Sequence, residues 1–367
     1  MPTHFDNDER IVMTLDAGGT NLKFSAIQAN RPLLEPISIP SEADSLDRCL
    51  ANIVRGFEEV HAALPKAPVA ISFAFPGPAD YPAGIITNIG NLPAFRGGVA
   101  LGPFLQERFG IPVFLNNDGD LFTYGEAIGG FLPYVNELLA KAGHSRRYRN
   151  LFGLTLGTGL GGGIVSGGIL LSGDNSAGGE AWLLRNLLQP EINAEDGASI
   201  RAVQRVYCRE AGLPSAQALT PKEIFEIGMG QAEGNREAAR EAYRQLGLVA
   251  GDVLAQALTL IDGLAVIGGG LSAAAPLFMP ALMESLNGVY ERNGDPLRRL
   301  VAHAFNLEDA VESAAFLQNR EESVPVHGSS RRVSFDPLPR TAVGISRLGT
   351  SHAVSVGAYA FALSQLS

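Results

Sequence analysis

Two short glycine-rich turns, each placed directly after an apolar strand-like run, constrain this chain more than any other feature. The first is Leu15-Asp16-Ala17-Gly18-Gly19-Thr20-Asn21-Leu22-Lys23, which follows Ile11-Val12-Met13. The second, about 140 residues further on, is Leu156-Gly157-Thr158-Gly159-Leu160-Gly161-Gly162-Gly163, which follows Phe152-Gly153-Leu154. A strand that enters such a turn and leaves it as another strand points several backbone N–H groups into one concavity, which suits the oxygens of a phosphate. Glycine is needed because a Cβ would block close approach and forbid positive φ. Between the two turns lies Asn116-Asn117-Asp118, which adds a carboxylate. Two hairpins of this kind with a carboxylate between them read as a phosphotransferase.

Bulk properties remove most rivals. At 367 residues the chain is long for one core, so two domains are expected. It is 46% hydrophobic and 18% charged, as an ordinary globular protein is. A net charge of −10 disfavours a nucleic-acid partner, because phosphate contacts demand clustered Lys and Arg. The short basic segment Arg146-Arg147-Tyr148-Arg149 reads as a solvated loop. Cys49 and Cys208 are too far apart in sequence to suggest a disulfide scaffold or a cysteine-rich metal site. The first residues are polar and acidic without a signal-peptide core, and no apolar run reaches the length of a membrane span. The expectation is a soluble cytoplasmic protein with no membrane partner.

The pattern along the chain is α/β. Asn21 to Gln28 reads as a strand, and Leu46, Leu50, Ile53, Val54, Phe57, Val60 and Leu64 repeat at helical spacing. Val69 to Phe75 is an almost unbroken apolar run, as in a strand buried on both faces, and it ends in Pro76-Gly77-Pro78. Val99 to Phe109 reads as a helix and Pro112 to Leu115 as a strand that runs into Asn116-Asn117-Asp118; Leu121 to Ile128 then reads as a helix. After the second hairpin, Ile164 to Ile169 has the form of a further hairpin. Thr220-Pro221-Lys222-Glu223 is a helix start with a capping box. Gly247 to Ile261 is an apolar helix, followed by the strand Leu264 to Ile267 and by Gly268-Gly269-Gly270, where a flat ligand could approach the backbone. Residues 290–345 mix charge and proline and carry no assigned chemistry. Ala353 to Leu366 reads as a final apolar helix.

Six of these segments, in order, resemble a known signature. Asp16-Ala17-Gly18-Gly19-Thr20, Pro76-Gly77-Pro78, Asn91-Leu92-Pro93, Asn117-Asp118, Gly157-Thr158-Gly159-Leu160-Gly161-Gly162 and Gly268-Gly269-Gly270 are similar to the motifs of the ROK family of sugar kinases and repressors. That family lies within the actin-like ATPase superfamily. The resemblance covers residues 10–275 and, more loosely, the last helix. It implies two ribonuclease H-like α/β domains, each on a mixed five-stranded sheet, flanking a cleft. The small N-terminal domain would comprise 1–117 plus 350–367, and the large C-terminal domain 118–349.

The resemblance also assigns roles. Asp118 would be the general base that takes the proton from the attacking sugar hydroxyl. Read from its position alone, at a strand end ahead of a helix, Asp118 could equally be a helix N-cap. Asp16 would hold Mg²⁺ through water, since magnesium keeps waters and uses few carboxylates. Gly18, Gly19 and Thr20 would cradle the γ-phosphate of ATP, Gly157, Thr158 and Gly159 the β and γ groups, and Gly268, Gly269 and Gly270 would complete the nucleotide site. Lys23 could serve as a phosphate cation or as an exposed strand lysine. The sugar would meet Gly77, Asn91, Asn117, Asp118, Glu180 and Glu195, because several hydroxyls need several buried polar partners. A homodimer is implied as well.

One family feature is missing. Many members carry Gly-Glu-x-Gly-His and a cysteine-rich loop that binds structural zinc; here the segment reads Gly179-Glu180-Ala181-Trp182-Leu183. No cysteine lies between Cys49 and Cys208 and no histidine between His144 and His303, so that window cannot supply a tetrahedral zinc site. Trp182, Leu183 and Leu184 are expected to anchor the loop by apolar burial instead, and Leu183 in place of histidine implies an altered preference among sugar substituents. Three rivals differ in class. The presence of both Asp16 and Asp118 argues against a non-catalytic sugar sensor, and a DNA-binding repressor of the family would need a module ahead of residue 11. Against another actin-like phosphotransferase, such as an acyl-phosphate-forming kinase, Asn117-Asp118 favours a hydroxyl acceptor over a carboxylate. A Rossmann dehydrogenase would need a helix after Gly157-x-Gly159-x-x-Gly162, where Ile164-Val165 reads as a strand.

Overall fold

The computed structural model describes residues 5–17, 20–77, 79–87 and 93–366. They form two compact units: residues 1–130, 162–179 and 347–367 in one, and 131–161 with 180–346 in the other.

The first unit opens with β1 (Val12–Ala17) and β2 (Asn21–Gln28), which pair antiparallel with Asp16 opposite Lys23. β3 (Arg31–Pro32) and β4 (Ile37–Pro40) both pair with β2, one at each end. The expected five-stranded sheet therefore has six, because its outer strand is interrupted between Pro32 and Ile37. α1 (Leu46–Ala63) turns Cys49, Ile53, Gly56, Phe57 and Val60 inward, the face its 3.6-residue spacing predicts. Phe57 meets Phe24 of β2 edge-on at 5.1 Å. β5 (Ala70–Ala74) is buried at every position and pairs parallel with β1. The short β6 (Ala79–Asp80) and β7 (Ile85–Ile86) follow, then α2 (Leu101–Phe109), closed by Gly110 in the left-handed region. β8 (Val113–Asn116) pairs parallel with β5 and leads into α3 (Asp118–Ile128).

α4 (Phe131–Lys141) starts the second unit and β9 (Leu151–Leu156) its sheet. β10 (Leu160–Ser166) pairs antiparallel with β11 (Ile169–Leu170). Gly167 and Gly168, both at positive φ, make the tight turn expected there. α5 (Ile200–Ala211) precedes α6 (Pro221–Met229), whose start carries the reciprocal Thr220–Glu223 capping box read from the sequence. α7 (Arg236–Ile261) begins eleven residues before the expected Gly247, because Asn235 caps it. β12 (Leu264–Gly268) lies parallel to β9, with Gly268 opposite Thr155. α8 (Ala275–Leu286) packs on α7.

The segment 290–345 holds more order than its composition suggested. β13 (Val289–Arg292) with β14 (Asp295–Arg298), and β16 (Glu322–Pro325) with β17 (Arg332–Phe335), are exposed two-stranded hairpins. β15 (His303–Asn306), α9 (Ala310–Phe316) and β18 (Arg340–Ile345) belong to the core, with β18 parallel between β12 and β15. α10 (Thr350–Gln365) returns to the first unit and packs along α3. A Cβ on Gly125 would strike Ala353, and one on Gly357 would strike Leu121, so these glycines let the two helices touch backbone to backbone. Among the described residues no helix is long and apolar enough to cross a membrane.

Candidate active site

The parallel register of the first sheet sets the site's acidic half. Asp16 at the end of β1 lies level with Ala74 of β5, and Ala74 level with Asn116 of β8. Strand ends on the carboxyl side of a parallel sheet are where α/β proteins bind ligands. Asn117 then caps α3: its Oδ1 accepts from the Gly119 N–H at 2.7 Å. Asp118 is the first helical residue, not the cap, so its alternative use at the N-cap position falls to its neighbour. Its Oδ1 also accepts from the Gly119 N–H, at 2.9 Å, and its side chain reaches solvent.

Protein crowds around the Asp118 carboxyl without sealing it from water. The resulting desolvation raises its pKa above the ordinary aspartate value. The Gly119 N–H and its own backbone pull the other way, and the charge of Asp16 pushes further up. A carboxylate at a helix N-terminus whose affinity for a proton is raised by desolvation suits proton abstraction.

Glycines missed as functional in the sequence seat this helix. A Cβ on Gly119 would meet the carbonyl oxygen of Gly162 in β10 at 2.5 Å, and one on Gly163 would meet the Gly119 carbonyl oxygen at 2.6 Å. Gly179, at φ +80°, closes on Gly163 in the same way. The signal was present in the Gly161-Gly162-Gly163 run, which reads as a phosphate loop but acts in part as a helix seat. Thr20 is exposed, its carbonyl accepting from Ser41 N–H at 3.0 Å, and Lys23 is exposed on β2. Gly77 packs near the Tyr81 hydroxyl, which donates to the Phe75 carbonyl at 2.9 Å. Gly18, Gly19 and Asn91 lie outside the described residues.

The second unit carries the other hairpin. The turn after β9 closes on itself, Gly157 N–H donating to the Gly159 carbonyl at 3.0 Å, and Thr158 is exposed at its tip. A Cβ on Gly157 would meet nothing within 4 Å, so the cradle is open there. Gly269 takes φ +86° against the Leu156 backbone, and Leu271 N–H donates to the Leu156 carbonyl at 3.0 Å. The Gly268–Gly270 turn is thereby fastened to the strand end that enters the Gly157–Gly159 hairpin. Gly270 faces open space.

Glu180 accepts a hydrogen bond from Trp182 Nε1. Glu195 N–H donates to the Trp182 carbonyl at 3.4 Å, and its carboxylate turns to the hairpin, accepting from Leu160 N–H at 3.1 Å. Leu183 does not anchor the loop by burial; it is 60% exposed. Polar bonds hold the loop instead. Buried Asn186 accepts from the N–H groups of Leu188 (2.9 Å) and Gln189 (3.1 Å), and Ala194 N–H donates to the Leu184 carbonyl at 2.7 Å. Among the described residues no group of three or more His, Cys, Asp or Glu side chains is placed to hold a metal ion. Asp16 and Asp118 are two exposed carboxylates close enough for the charge of Asp16 to raise the pKa of Asp118.

The model of the ROK family matches residues 12–182. A crystal structure of a glucokinase from Parabacteroides distasonis is 53% identical, covers 98% of this chain and 99% of its own, and superposes with a TM-score of 0.89. The chain belongs to the ROK family. Further relatives include a glucokinase of Thermotoga maritima, 27% identical over 77% of this chain and 92% of that protein. An N-acetyl-D-glucosamine kinase of Vibrio cholerae is 27% identical over 70% and 83%. The ROK fold is that of the actin-like ATPases, and this chain shares its α/β class, with two six-stranded sheets.

Proposed function

We propose that this ROK-family chain transfers the terminal phosphoryl group of ATP to a hydroxyl of a hexose or hexose derivative, with Asp118 as general base. The coarser part rests on kinship: a ROK member that matches a glucokinase at 53% identity over 98% of its length is a sugar kinase. The finer part rests on one observation above the others. Asp118 stands exposed at the first position of α3, its carboxyl raised by desolvation and by Asp16, while Asn117 takes over the capping role that would otherwise occupy it.

In this reading Asp118 accepts the sugar hydroxyl proton as the oxygen attacks phosphorus. The N–H groups of the Gly157–Gly159 turn and of the Gly18–Thr20 turn hold the phosphate oxygens, and Gly268, Gly269 and Gly270 let the nucleotide lie against backbone. Asp16 holds magnesium through water, and the ion would neutralise charge on the phosphates. Gly77, Asn91, Asn117 and Glu180 orient the sugar hydroxyls. Positioning and charge stabilisation supply most of such a reaction's acceleration. Leu183 cannot hydrogen-bond a hydroxyl, so the substrate differs in one substituent from that preferred by members with histidine there. A cytoplasmic homodimer belongs to the same reading, and light scattering on the purified chain tests the dimer.

The decisive assay is ADP release from Mg-ATP against a panel of hexoses and N-acetylhexosamines, with Asp118→Asn in parallel. Sugar-dependent turnover that drops at least about a thousandfold in the variant is expected. Turnover that survives the substitution would remove Asp118 from the mechanism. A protein that binds sugar but never releases ADP would be a sensor.

A further inference from the structure

We propose that Trp182 is a positioning residue for sugar selection: its indole N–H holds one oxygen of the Glu180 carboxylate and leaves the other to a sugar hydroxyl. This rests on the kinase reading above. Trp182 and Glu180 lie in the same unit, two residues apart, and the indole Nε1–H donates to Glu180 Oε2. They share one turn, the short 3-10 helix Ala181–Leu183, with Glu180 at its N-cap position. Its backbone is closed by Leu183 N–H donating to the Glu180 carbonyl and Leu184 N–H to the Ala181 carbonyl, both at 3.1 Å.

The loop fixes the tryptophan more firmly than the glutamate. The Trp182 carbonyl accepts from Glu195 N–H at 3.4 Å and the Leu184 carbonyl from Ala194 N–H at 2.7 Å, and Arg185 bridges Asn193 antiparallel. Ala181, between the two residues, is buried. The Glu180 side chain has no comparable anchor of its own: among the described residues the indole is the one donor to its carboxylate, and no cation pairs with it. A free glutamate would have to be ordered by the sugar at a cost in affinity, and the indole orders it beforehand. Indole suits the task because it only donates, so the bond cannot invert and the carboxylate stays an acceptor. With Oε2 committed, Oε1 offers its lone pairs in one direction. Glu180 then reads a hydroxyl at one ring position and not at several. A bond that merely satisfied the indole would matter to folding alone.

The chain has one tryptophan, so an amino-acid analogue can be placed at Trp182 without touching any other residue. Expression in a tryptophan auxotroph fed β-(3-benzothienyl)alanine exchanges the N–H for sulfur and keeps the ring; Trp182→Phe is the genetic counterpart. Both are compared with wild type and Glu180→Gln by calorimetric titration with the best sugar and its monodeoxy analogues, and by steady-state kinetics. Loss of the N–H should weaken the sugar and raise its KM about two- to tenfold, the range that ordering one such side chain accounts for. The kcat and the KM for Mg-ATP should stay within about twofold of wild type. One monodeoxy analogue, lacking the hydroxyl that Glu180 meets, should be indifferent to Glu180→Gln and equally indifferent to loss of the N–H. Equal weakening of that analogue and of the parent sugar would overturn the proposal, since a general disturbance of the loop does the same. Unchanged sugar affinity in both N–H-free proteins would overturn it too, as would a panel in which Glu180→Gln singles out no hydroxyl. Wild-type protein that bound sugar but released no ADP would overturn the kinase reading, and the binding titrations would still decide the role of Trp182.

Discussion

Gly119 meets Gly162 where it cannot carry a side chain: the Cβ that Gly119 lacks would fall 2.5 Å from the Gly162 carbonyl oxygen and 2.9 Å from its nitrogen. Both neighbours are backbone, which cannot swing aside. Gly119→Ala should therefore shift the first turn of α3, and Asp118 with it. Overpacking of this kind costs about 1–3 kcal/mol in stability. A displacement near 1 Å at a reacting group costs about a hundredfold in rate. Steady-state kinetics should show kcat falling far more than the melting temperature suggests. A variant with normal kcat would mean that this contact does not aim Asp118.

As the proposed general base, Asp118 should couple activity and stability to pH in opposite senses. The base must be ionised, so turnover is lost as pH falls through its raised pKa, and the acid limb of the rate profile should lie above the ordinary aspartate value of 3.8. For folding the sign reverses. A carboxyl whose folded pKa exceeds its unfolded one is bound more tightly to its proton in the fold, so its contribution is most favourable below pH 3.8 and fades as pH rises through the raised pKa. At neutral pH the ionised Asp118 is a burden on the fold. Asp118→Asn should then melt no lower than wild type at pH 7 while losing turnover; a clearly lower melting temperature would contradict the desolvation account.

Much of this was legible in the residues because local chemistry and fold agreed. The apolar run at Ala70–Ala74 could only be a doubly buried strand, and Thr220 with Glu223 wrote its own helix start. β18 was not legible. It begins with Arg340 and Thr341, polar residues that read as surface, yet both are buried. Arg340 is held by Asp336 at 2.8 Å, donates to the carbonyls of Phe316 and Gln318, and the Thr341 hydroxyl donates to the Gly263 carbonyl. Their partners lie 4 to 78 residues away, and only the fold names the distant ones. The two-sided use of Glu195 was hidden for the same reason, since its motif spacing says nothing about which N–H the carboxylate will meet.

Another non-local pair of this kind supports the second unit. Asp252 on α7 and Arg299, just after β14, form an ion pair with each side chain only 11% exposed. Arg299 donates further to the Ser285 carbonyl at 3.1 Å and Gln256 donates to Asp252 at 2.8 Å. Removing one partner leaves a buried charge uncompensated, which costs about 3–5 kcal/mol. Asp252→Leu and Arg299→Met should each lower the melting temperature sharply. The two together should recover most of the loss, because neither charge is then stranded. Simple additivity in the double variant would show that the pair is not energetically coupled.

Glu126, fully buried in α3, closes the first unit in a way that reports on itself. Its carboxylate oxygens accept from the backbone N–H groups of Arg347 (3.3 Å) and Leu348 (3.1 Å), the residues that lead into α10. Charge-assisted bonds to backbone donors contribute about 1.5–3 kcal/mol each, so Glu126→Gln, which offers one oxygen where two are used, should destabilise the unit by about 2 kcal/mol. His352, one turn into α10, provides an independent gauge. Burial lowers its pKa below 6.5, and the Glu126 charge holds it partly up. A depressed histidine stabilises the fold above pH 6.5 and loses that contribution as pH falls through its folded value. Without the Glu126 charge that folded value should drop further, moving the imidazole titration of His352 to lower pH by NMR. An unchanged titration with a lowered melting temperature would mean that Glu126 acts on the Arg347–Leu348 backbone alone and leaves His352 to burial.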